Sequence, residues 1–184
     1  MTPRSFLVSL RLLAAAGVLG VGLLASSAAV GDELPAEPAG RLARLHGLTS
    51  ELASRASDLA QHAIETLGIR YKYGSNQPEH GLDCSGLVQY VFKQAWGKDL
   101  PRTSAEISRV GERVDVNDLQ PGDLVFYNTL RRGFSHVGIY LGDDKFIHAP
   151  SKGGRVRIES MNISYWKKRF NGARRISDGD GDVQ

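Results

Sequence analysis

Apolar residues recur three and four positions apart over two stretches in the first half of the chain, which is the spacing of a helix face. The first stretch covers residues 41–67 and is interrupted at Gly47. The second begins at Cys84 and should end near Gly97, because glycine supplies a C-terminal stop. A Thr-x-x-Glu capping box after Pro101 predicts a third, short helix. The helices are therefore predicted to come first in the chain.

From Asp115 onwards, the apolar pattern changes to the period of β-strands. A turn over 119–123 carries proline and glycine where a type II turn needs them, and a tight turn at 142–144 joins two strands into a hairpin. A short helix is predicted at 162–170, before a last edge strand at 173–176. The other predicted strands are 124–127, 135–141, 145–149 and 155–158. Helices followed by an antiparallel meander indicate an α+β domain.

The first residues have the pattern of an export signal. Arg4 and Arg11 precede an apolar run at 12–24, which is too short for a comfortable membrane span. Small residues follow, so that cleavage after Ala28 or Ala29 fits; an uncleaved anchor is the alternative. Since no cysteine lies near the cleavage site, no lipid anchor is expected. We therefore predict an exported protein that is soluble in the periplasm or cell envelope after cleavage.

These patterns divide the chain into four parts. They are a signal peptide at 1–29, a linker with the start of the N-terminal helix at 30–54, a globular domain at 55–177 and an acidic tail at 178–184. The 184 residues contain 23 Lys and Arg against 20 Asp and Glu, a formal charge of +3, and two of the basic residues lie in the export signal. The rest of the chain is close to neutral, so strong binding to nucleic acid is not indicated.

Cys84 is the only cysteine, and it stands where a turn-like segment becomes a helix. There the unpaired N–H groups and the positive end of the helix dipole favour a negative group. We therefore predict a thiol with a lowered pKa, whose thiolate acts as a nucleophile. Outside the cytoplasm an unpaired cysteine is a liability unless it is buried or used. An inert buried cysteine is the alternative interpretation.

A cysteine nucleophile needs a histidine to take and return a proton, and a third group to orient that histidine. His136 lies near the start of one hairpin strand and His148 near the end of the other, and antiparallel pairing brings such positions to the same end of a sheet. His80, in a polar loop, is interpreted as a surface residue. A zinc site made of Cys84, His136 and His148 is the alternative. The chain lacks the usual Cys-x-x-Cys or His-x-x-x-His spacing, so no metal and no cofactor are expected.

Several segments resemble the NlpC family, which are papain-like cysteine peptidases of the bacterial cell wall. The three signature blocks of that family are similar to Asp83–Val88, Ser135–Gly142 and Phe146–Ala149. Residues 71–74 resemble the block before the nucleophile, and 119–124 resemble the turn that enters the sheet. The resemblance covers about residues 56–176. It implies a papain-like NlpC fold, in which N-terminal helices, including the nucleophile helix, pack on an antiparallel β-sheet.

By that resemblance, Cys84 is the nucleophile, His136 is the base and His148 is the polar residue that orients the base. The Tyr71 hydroxyl would line the site near Cys84. Together with the Cys84 backbone N–H, it would stabilise the oxyanion of the tetrahedral intermediate.

The resemblance also implies the substrate, which is the stem peptide of peptidoglycan, cleaved at an amide bond through a thioester acyl-enzyme. Asp83 and Ser85 would contact the polar backbone or amine of that peptide; helix capping and loop hydrogen bonding are their alternative roles. The favoured bond is the meso-diaminopimelate–D-Ala crosslink, and the D-glutamyl–diaminopimelate bond within one stem is the competitor. A non-catalytic wall-binding module and an acyltransferase on the same fold are the alternatives from other classes. The sequence identifies no adaptor or regulatory protease as a partner.

Overall fold

The computed structural model of the protein describes residues 38–130, 133–151 and 154–177. The predicted signal peptide, the linker up to residue 37 and the acidic tail lie outside the described residues. Within the described ranges, no helix combines the length and the apolar character that a membrane span requires.

Helix α1, Pro38–Glu65, is more continuous than the sequence pattern predicts. The apolar pattern is interrupted at Gly47 but the helix is not, because one glycine inside a helix costs only about 1 kcal/mol relative to alanine and does not by itself end the helix. The helix also begins inside the predicted linker. Pro38 suits that first position, since the first helical turn has no partner for its N–H groups. The second half of α1 is packed on the domain, and Leu59 and Ala63 are fully buried there.

Helix α2, Cys84–Trp96, has the ends that the sequence predicts. Asp83 caps its start by accepting the Gly86 backbone N–H at 2.7 Å, and Gly97 ends it in the left-handed conformation with a φ of 66°. Its buried apolar face contains Leu87, Val88, Val91 and Phe92. This face holds α2 against both α1 and the sheet.

The segment before α2, which the sequence predicts as a loop, contains a short hairpin. Strand β1, Asn76–Gln77, pairs antiparallel with β2, Gly81–Leu82. Strands of two residues are too short to display a period of two, so the apolar pattern did not reveal them. Helix α3, Ser104–Ile107, follows α2, and its capping box between Thr103 and Glu106 is formed as predicted.

One six-stranded antiparallel sheet contains the rest of the domain. Its strands are β3, Glu112–Val114; β4, Leu124–Tyr127; β5, His136–Gly142; β6, Lys145–His148; β7, Arg157–Ser160; and β8, Phe170–Arg175. Their order in space is β3-β8-β4-β5-β6-β7. Strand β4 and the β5–β6 hairpin are confirmed, and so is the α+β class.

The ends of the sheet differ from the prediction. Strand β8 is not an edge strand, because it lies between β4 and β3, a strand of three residues that the sequence pattern did not reveal. Strand β7 begins two residues later than predicted, at Arg157. The helix predicted at 162–170 is only one turn long: α4, Ser164–Lys167.

Both faces of the sheet are covered, as the residues of β4 show. Leu124 and Phe126 pack with the helices, while Val125 and Tyr127 belong to a second buried cluster that includes Trp166 of α4. Alternate residues of a strand point to opposite faces, so the helices lie on one face and α4 on the other. Strands β4 and β5 therefore separate α2 from the aromatic cluster that includes Trp166.

The close approach of α2 to the preceding hairpin gives a stability test. A Cβ added at Gly86 would clash with the backbone carbonyl oxygen of Ser75, whereas a Cβ at Gly47 would meet nothing within 4 Å. We expect Gly86→Ala to lower the free energy of unfolding by about 2 kcal/mol or more, because both clashing groups are held by backbone structure. Gly47→Ala is the matched control and should not lower it. Urea unfolding measures both; equal effects would contradict the packing described here.

Candidate active site

Cys84 is the first residue of α2, so its side chain lies beside the unpaired N–H groups of the helix. The side chain is partly buried. The backbone N–H of Val137, the second residue of β5, hydrogen-bonds the Cys84 sulfur. This contact places the sulfur at the start of β5, because Val137 directly follows His136 in that strand.

The prediction of a lowered pKa for the Cys84 thiol is wrong for the free protein. Burial raises the pKa of the thiol above its ordinary value, and the nearby Asp83 carboxylate raises it further. The backbone N–H groups of Val137, Ser85 and Cys84 itself act in the opposite direction, as the helix-terminus argument requires. They do not outweigh the loss of water, so the thiol is protonated at neutral pH.

His136 and His148 are in direct contact: Nε2 of His136 lies 2.9 Å from Nδ1 of His148. The register of the hairpin explains the contact. Ile139 pairs with Ile147, which makes the two histidines diagonal neighbours on one face of the sheet. The turn fixes this register, since its central residues, 143–144, both adopt the left-handed conformation with φ values of 50° and 56°.

Both histidines are neutral at physiological pH. Burial and then the neighbouring His148 lower the pKa of His136 to about 3, while Glu159 acts in the opposite direction. Burial and then Arg157 lower the pKa of His148 to about 3. The free site therefore holds a protonated thiol close to a pair of neutral imidazoles.

Two residues that contact the histidines were given no role by the sequence analysis. The Trp166 ring stacks on His136, with 5.5 Å between ring centroids, and meets His148 edge-on at 4.9 Å. The Glu159 carboxylate lies 3.3 Å from Nε2 of His148 and accepts the Trp166 indole N–H. A glutamate in a short strand gives no sequence signal, and only the pairing of β6 with β7 brings it to His148.

Tyr71 reaches Cys84 through the β-bridge that precedes α2. Its backbone pairs with Leu82, two residues before Cys84. Gly81 permits this approach, because it has a φ of 107° and a Cβ there would lie 2.7 Å from the carbonyl oxygen of Arg70. Burial raises the pKa of the Tyr71 hydroxyl, and the nearby Cys84 raises it further.

Asp83 and Ser85 are buried and bonded within the protein. Asp83 accepts hydrogen bonds from the N–H of Gly86 at 2.7 Å, the N–H of Gly74 at 2.7 Å and the Ser85 hydroxyl at 3.3 Å. Arg102 donates to both Asp83 oxygens, at 3.1 and 2.5 Å, and to the Ser85 oxygen at 2.8 Å. The structure therefore shows the capping and loop-bonding roles. Arg102 had no sequence signal, because only tertiary folding brings its loop to α2.

A cavity of about 410 Å³ opens beside His136, which forms part of its lining. Arg157, Ile163 and Tyr165 form part of its wall. The Arg157 side chain is 52% exposed, so part of its guanidinium can reach a ligand.

The structure also bears on the zinc alternative and on the position of His80. Among the described residues, no three His, Cys, Asp or Glu side chains are close enough together to hold a metal ion. Cys84, His136 and His148 therefore do not form the ligand cluster that the zinc alternative requires. His80 is exposed, with its Nδ1 2.8 Å from Oε1 of Gln77, as expected for a surface residue.

The protonated thiol predicts a pH dependence for chemical modification. Because Cys84 is the only cysteine, the rate of alkylation by iodoacetamide reports its thiolate fraction directly. The raised pKa means that the rate should still be climbing at pH values where an ordinary thiol has reached its plateau. A plateau already reached at neutral pH would contradict this and restore the acidic thiol of the sequence prediction.

The neutral histidines predict that stability falls with decreasing pH. Unfolded histidines bind a proton below about pH 6.5, whereas folded His136 and His148 do so only near pH 3. The unfolded state therefore binds more protons between these values, and each histidine contributes up to about 1.4 kcal/mol of stability loss per pH unit. Urea unfolding at pH 7 and 5.5 measures the slope. His148→Asn should reduce it and His80→Asn should not; equal slopes in all three proteins would contradict the burial argument.

The chain is similar to proteins of known name and to solved structures. The chain is 45% identical over 109 residues to murein DD-endopeptidase MepS/murein LD-carboxypeptidase of Escherichia coli (strain K12), covering 59% of this chain and 56% of that protein. It is 40% identical over 132 residues to gamma-DL-glutamyl hydrolase of Bacillus subtilis (strain 168), covering 71% and 32%. The crystal structure of an NlpC/P60 family protein from Bacillus cereus ATCC 10987 matches with a TM-score of 0.61 and 34% identity, over 65% of this chain and 39% of that one.

The matches agree with the fold and with the resemblance drawn from the sequence. The chain spans about a third of the length of one of these two relatives and just over half of the other. The model of the NlpC/P60 family matches residues 68–175, which are more than half of the chain and include Cys84, His136 and His148. The chain therefore belongs to the NlpC/P60 family.

Proposed function

We propose that this chain is a peptidoglycan endopeptidase with Cys84 as its nucleophile. The observation that carries the proposal is the buried contact between His136 and His148, beside the helix N-terminus that bears Cys84. A cysteine nucleophile needs such a proton acceptor and such an orienting group. The names of the two relatives support the substrate, since one is a murein endopeptidase and the other a glutamyl hydrolase.

In this proposal His136 is the base and His148 orients it. Nε2 of His136 contacts His148, so Nδ1 of His136 is the nitrogen that remains for the Cys84 thiol. As the Cys84 sulfur attacks the carbonyl carbon, the thiol proton passes to Nδ1; the C–N bond then breaks as this proton passes to the leaving amine. The acyl group stays on sulfur as a thioester. A water molecule then attacks the thioester carbonyl and gives a proton to His136. The C–S bond breaks, the peptide leaves as a carboxylic acid, and the sulfur recovers the proton from His136.

The first step starts from neutral partners and therefore depends on the substrate. A thiol of raised pKa and a histidine of lowered pKa do not exchange a proton in the free protein. Charge develops only as the carbonyl oxygen becomes an oxyanion. The Cys84 backbone N–H and the Tyr71 hydroxyl are the donors that we assign to that oxygen.

The two sides of the site would take different halves of the substrate. Because His136 returns its proton to the leaving amine, the leaving half lies toward the cavity beside His136. The acyl half then lies toward Tyr71 and Arg102. Asp83 and Ser85 hold Arg102 in place, so we assign them to positioning that guanidinium rather than to direct contact with the peptide.

Arg157 favours the meso-diaminopimelate–D-Ala crosslink as the scissile bond. In that crosslink, the carbon that bears the leaving amine also bears a carboxylate, which suits a guanidinium in the cavity wall. On the acyl side, Asp83 is engaged by Arg102 and is poorly placed to pair with a free amino terminus. The second candidate is the D-glutamyl–diaminopimelate bond, which the name of the B. subtilis relative supports.

The proposed substrate agrees with export to the cell envelope. We propose that residues 1–29 act as the signal peptide, that 55–177 form the catalytic domain and that the partner is peptidoglycan itself. The signal segment and the acidic tail lie outside the described residues.

Purified sacculi test the proposal when the fragments that the protein releases are identified by mass spectrometry. Crosslink cleavage removes dimeric muropeptides and leaves intact stems, whereas cleavage within a stem leaves truncated stems. We expect the first pattern, and we expect Cys84→Ala to abolish it. His136→Ala should lower the rate about a thousandfold or more and His148→Ala by less, because His148 acts through the base. His80→Ala is the matched control and should keep the wild-type rate.

Each alternative function predicts a different result in this experiment. Product release by Cys84→Ala would refute the nucleophile assignment. Tight binding of the wild-type protein to sacculi without any product would identify a wall-binding module. Products that carry an added amine or lipid would identify acyl transfer, and truncated stems would identify the bond within the stem.

A further inference from the structure

We propose that Glu159 is a positioning residue for this reaction: its carboxylate fixes which nitrogens of His148 and His136 carry hydrogen, so that His136 presents a free nitrogen to Cys84. The inference rests on the proposed function of the same site. It concerns a residue that lies outside the three signature motifs of the sequence.

The three side chains form a diagonal line across β5, β6 and β7. His136 and His148 are diagonal neighbours on the first pair of strands, with 2.9 Å between their facing nitrogens. On the second pair, Phe146 is opposite Glu159, so Glu159 is the diagonal neighbour of His148. Oε2 of Glu159 lies 3.3 Å from Nε2 of His148, within ion-pair distance but without hydrogen-bond geometry, and this buried nitrogen has no hydrogen-bond partner among the described residues.

The carboxylate is held in this position from two other directions. Arg157 donates its Nε–H to Oε1 at 2.7 Å, and Trp166 donates its indole N–H to Oε2. The Glu159 side chain is only 20% exposed and His148 is fully buried. Each oxygen accepts a hydrogen bond, so the group cannot turn into solvent without breaking its contacts with Arg157 and Trp166.

The number of N–H hydrogens on the two neutral imidazoles limits which ring nitrogens can carry them. A neutral imidazole carries one N–H, and only one hydrogen can lie between Nε2 of His136 and Nδ1 of His148. If His136 supplies it, its own Nδ1 is a free acceptor for the thiol proton and His148 carries hydrogen on Nε2. If His148 supplies it, His136 carries hydrogen on Nδ1 and cannot act as a base toward Cys84.

Glu159 selects the first of these arrangements. With hydrogen on Nε2, the positive end of an N–H dipole lies 3.3 Å from the carboxylate oxygen; without it, a nitrogen lone pair lies at that distance from a negative oxygen inside the protein. The same carboxylate also favours the positive charge that His136 acquires when it takes the thiol proton. Trp166 contacts both rings, stacking on His136 and meeting His148 edge-on, and so restricts the rotation of each.

The test uses the full chain and needs no substrate for its first measurement. Nitrogen-15 NMR of histidine-labelled protein at pH 7 reads directly which ring nitrogens carry hydrogen. We expect hydrogen on Nε2 of both His136 and His148 in the wild type. In Glu159→Gln, the amide can donate as well as accept, so a mixture of the two arrangements should appear. Glu65→Gln is the matched control, because Glu65 also lies 3.3 Å from a histidine, His62, but at an exposed site.

The second measurement is the hydrolysis rate on sacculi or an isolated crosslinked stem. Glu159→Gln should lower kcat about 10- to 100-fold with KM within about twofold, since the residue does not contact the scissile bond. Glu159→Asp keeps the charge at a longer distance, so it should recover part of the loss and retain hydrogen on Nε2 of His148. Glu65→Gln should show wild-type kinetics.

Wild-type nitrogen spectra in Glu159→Gln, or a wild-type kcat, would overturn the role of Glu159. If Glu159→Gln does not fold, Glu159→Asp decides: a shift of hydrogen away from Nε2 of His148 despite the retained charge would also overturn it. The NMR result stands even if the wild-type protein releases nothing from sacculi. That outcome would refute the proposed substrate and leave the test of Glu159 intact.

Discussion

The packing of the α2 N-terminus against the start of β5 determines where the reactive groups of this protein can lie. Val137 packs in the core and its backbone N–H also bonds the Cys84 sulfur, so one residue belongs to both the core and the site. Asp83 fastens the same end of α2 by capping it and by binding Arg102. Since protein interiors are close-packed, the position of the sulfur is set by the core and not by a flexible loop.

Burial has a second effect, on charge. A buried thiol or imidazole loses the water that would stabilise its ion, and here this loss outweighs the helix terminus and the neighbouring carboxylate. The Cys84 thiol and the two imidazoles consequently rest uncharged, which is less costly in a buried position than a thiolate–imidazolium pair. The oriented backbone N–H groups gain their full effect only when a reaction places negative charge beside them.

The sequence was sufficient to predict that Cys84, His136 and His148 lie near one another, because each has a local signal. Cys84 follows a turn and begins a helix, and the histidines occupy matching places on a hairpin whose turn is evident. Arg102, Glu159 and Trp166 have no such signal, because their positions depend on pairing between distant segments. The same limit explains β8: its pairing with β3 and β4 links segments far apart in the chain, which a local period does not record. The pKa of Cys84 was mispredicted because burial depends on the whole fold.

The protonated state of Cys84 has a consequence for the lifetime of the protein in an oxidising compartment. Peroxides and disulfides react with the thiolate and hardly with the thiol. A cysteine that is partly buried and keeps its proton is therefore oxidised slowly, although it has no partner within the chain. If the protein is exported as we propose, Cys84 would remain reduced there without a dedicated electron donor, because only a small fraction of the sulfur is thiolate at neutral pH.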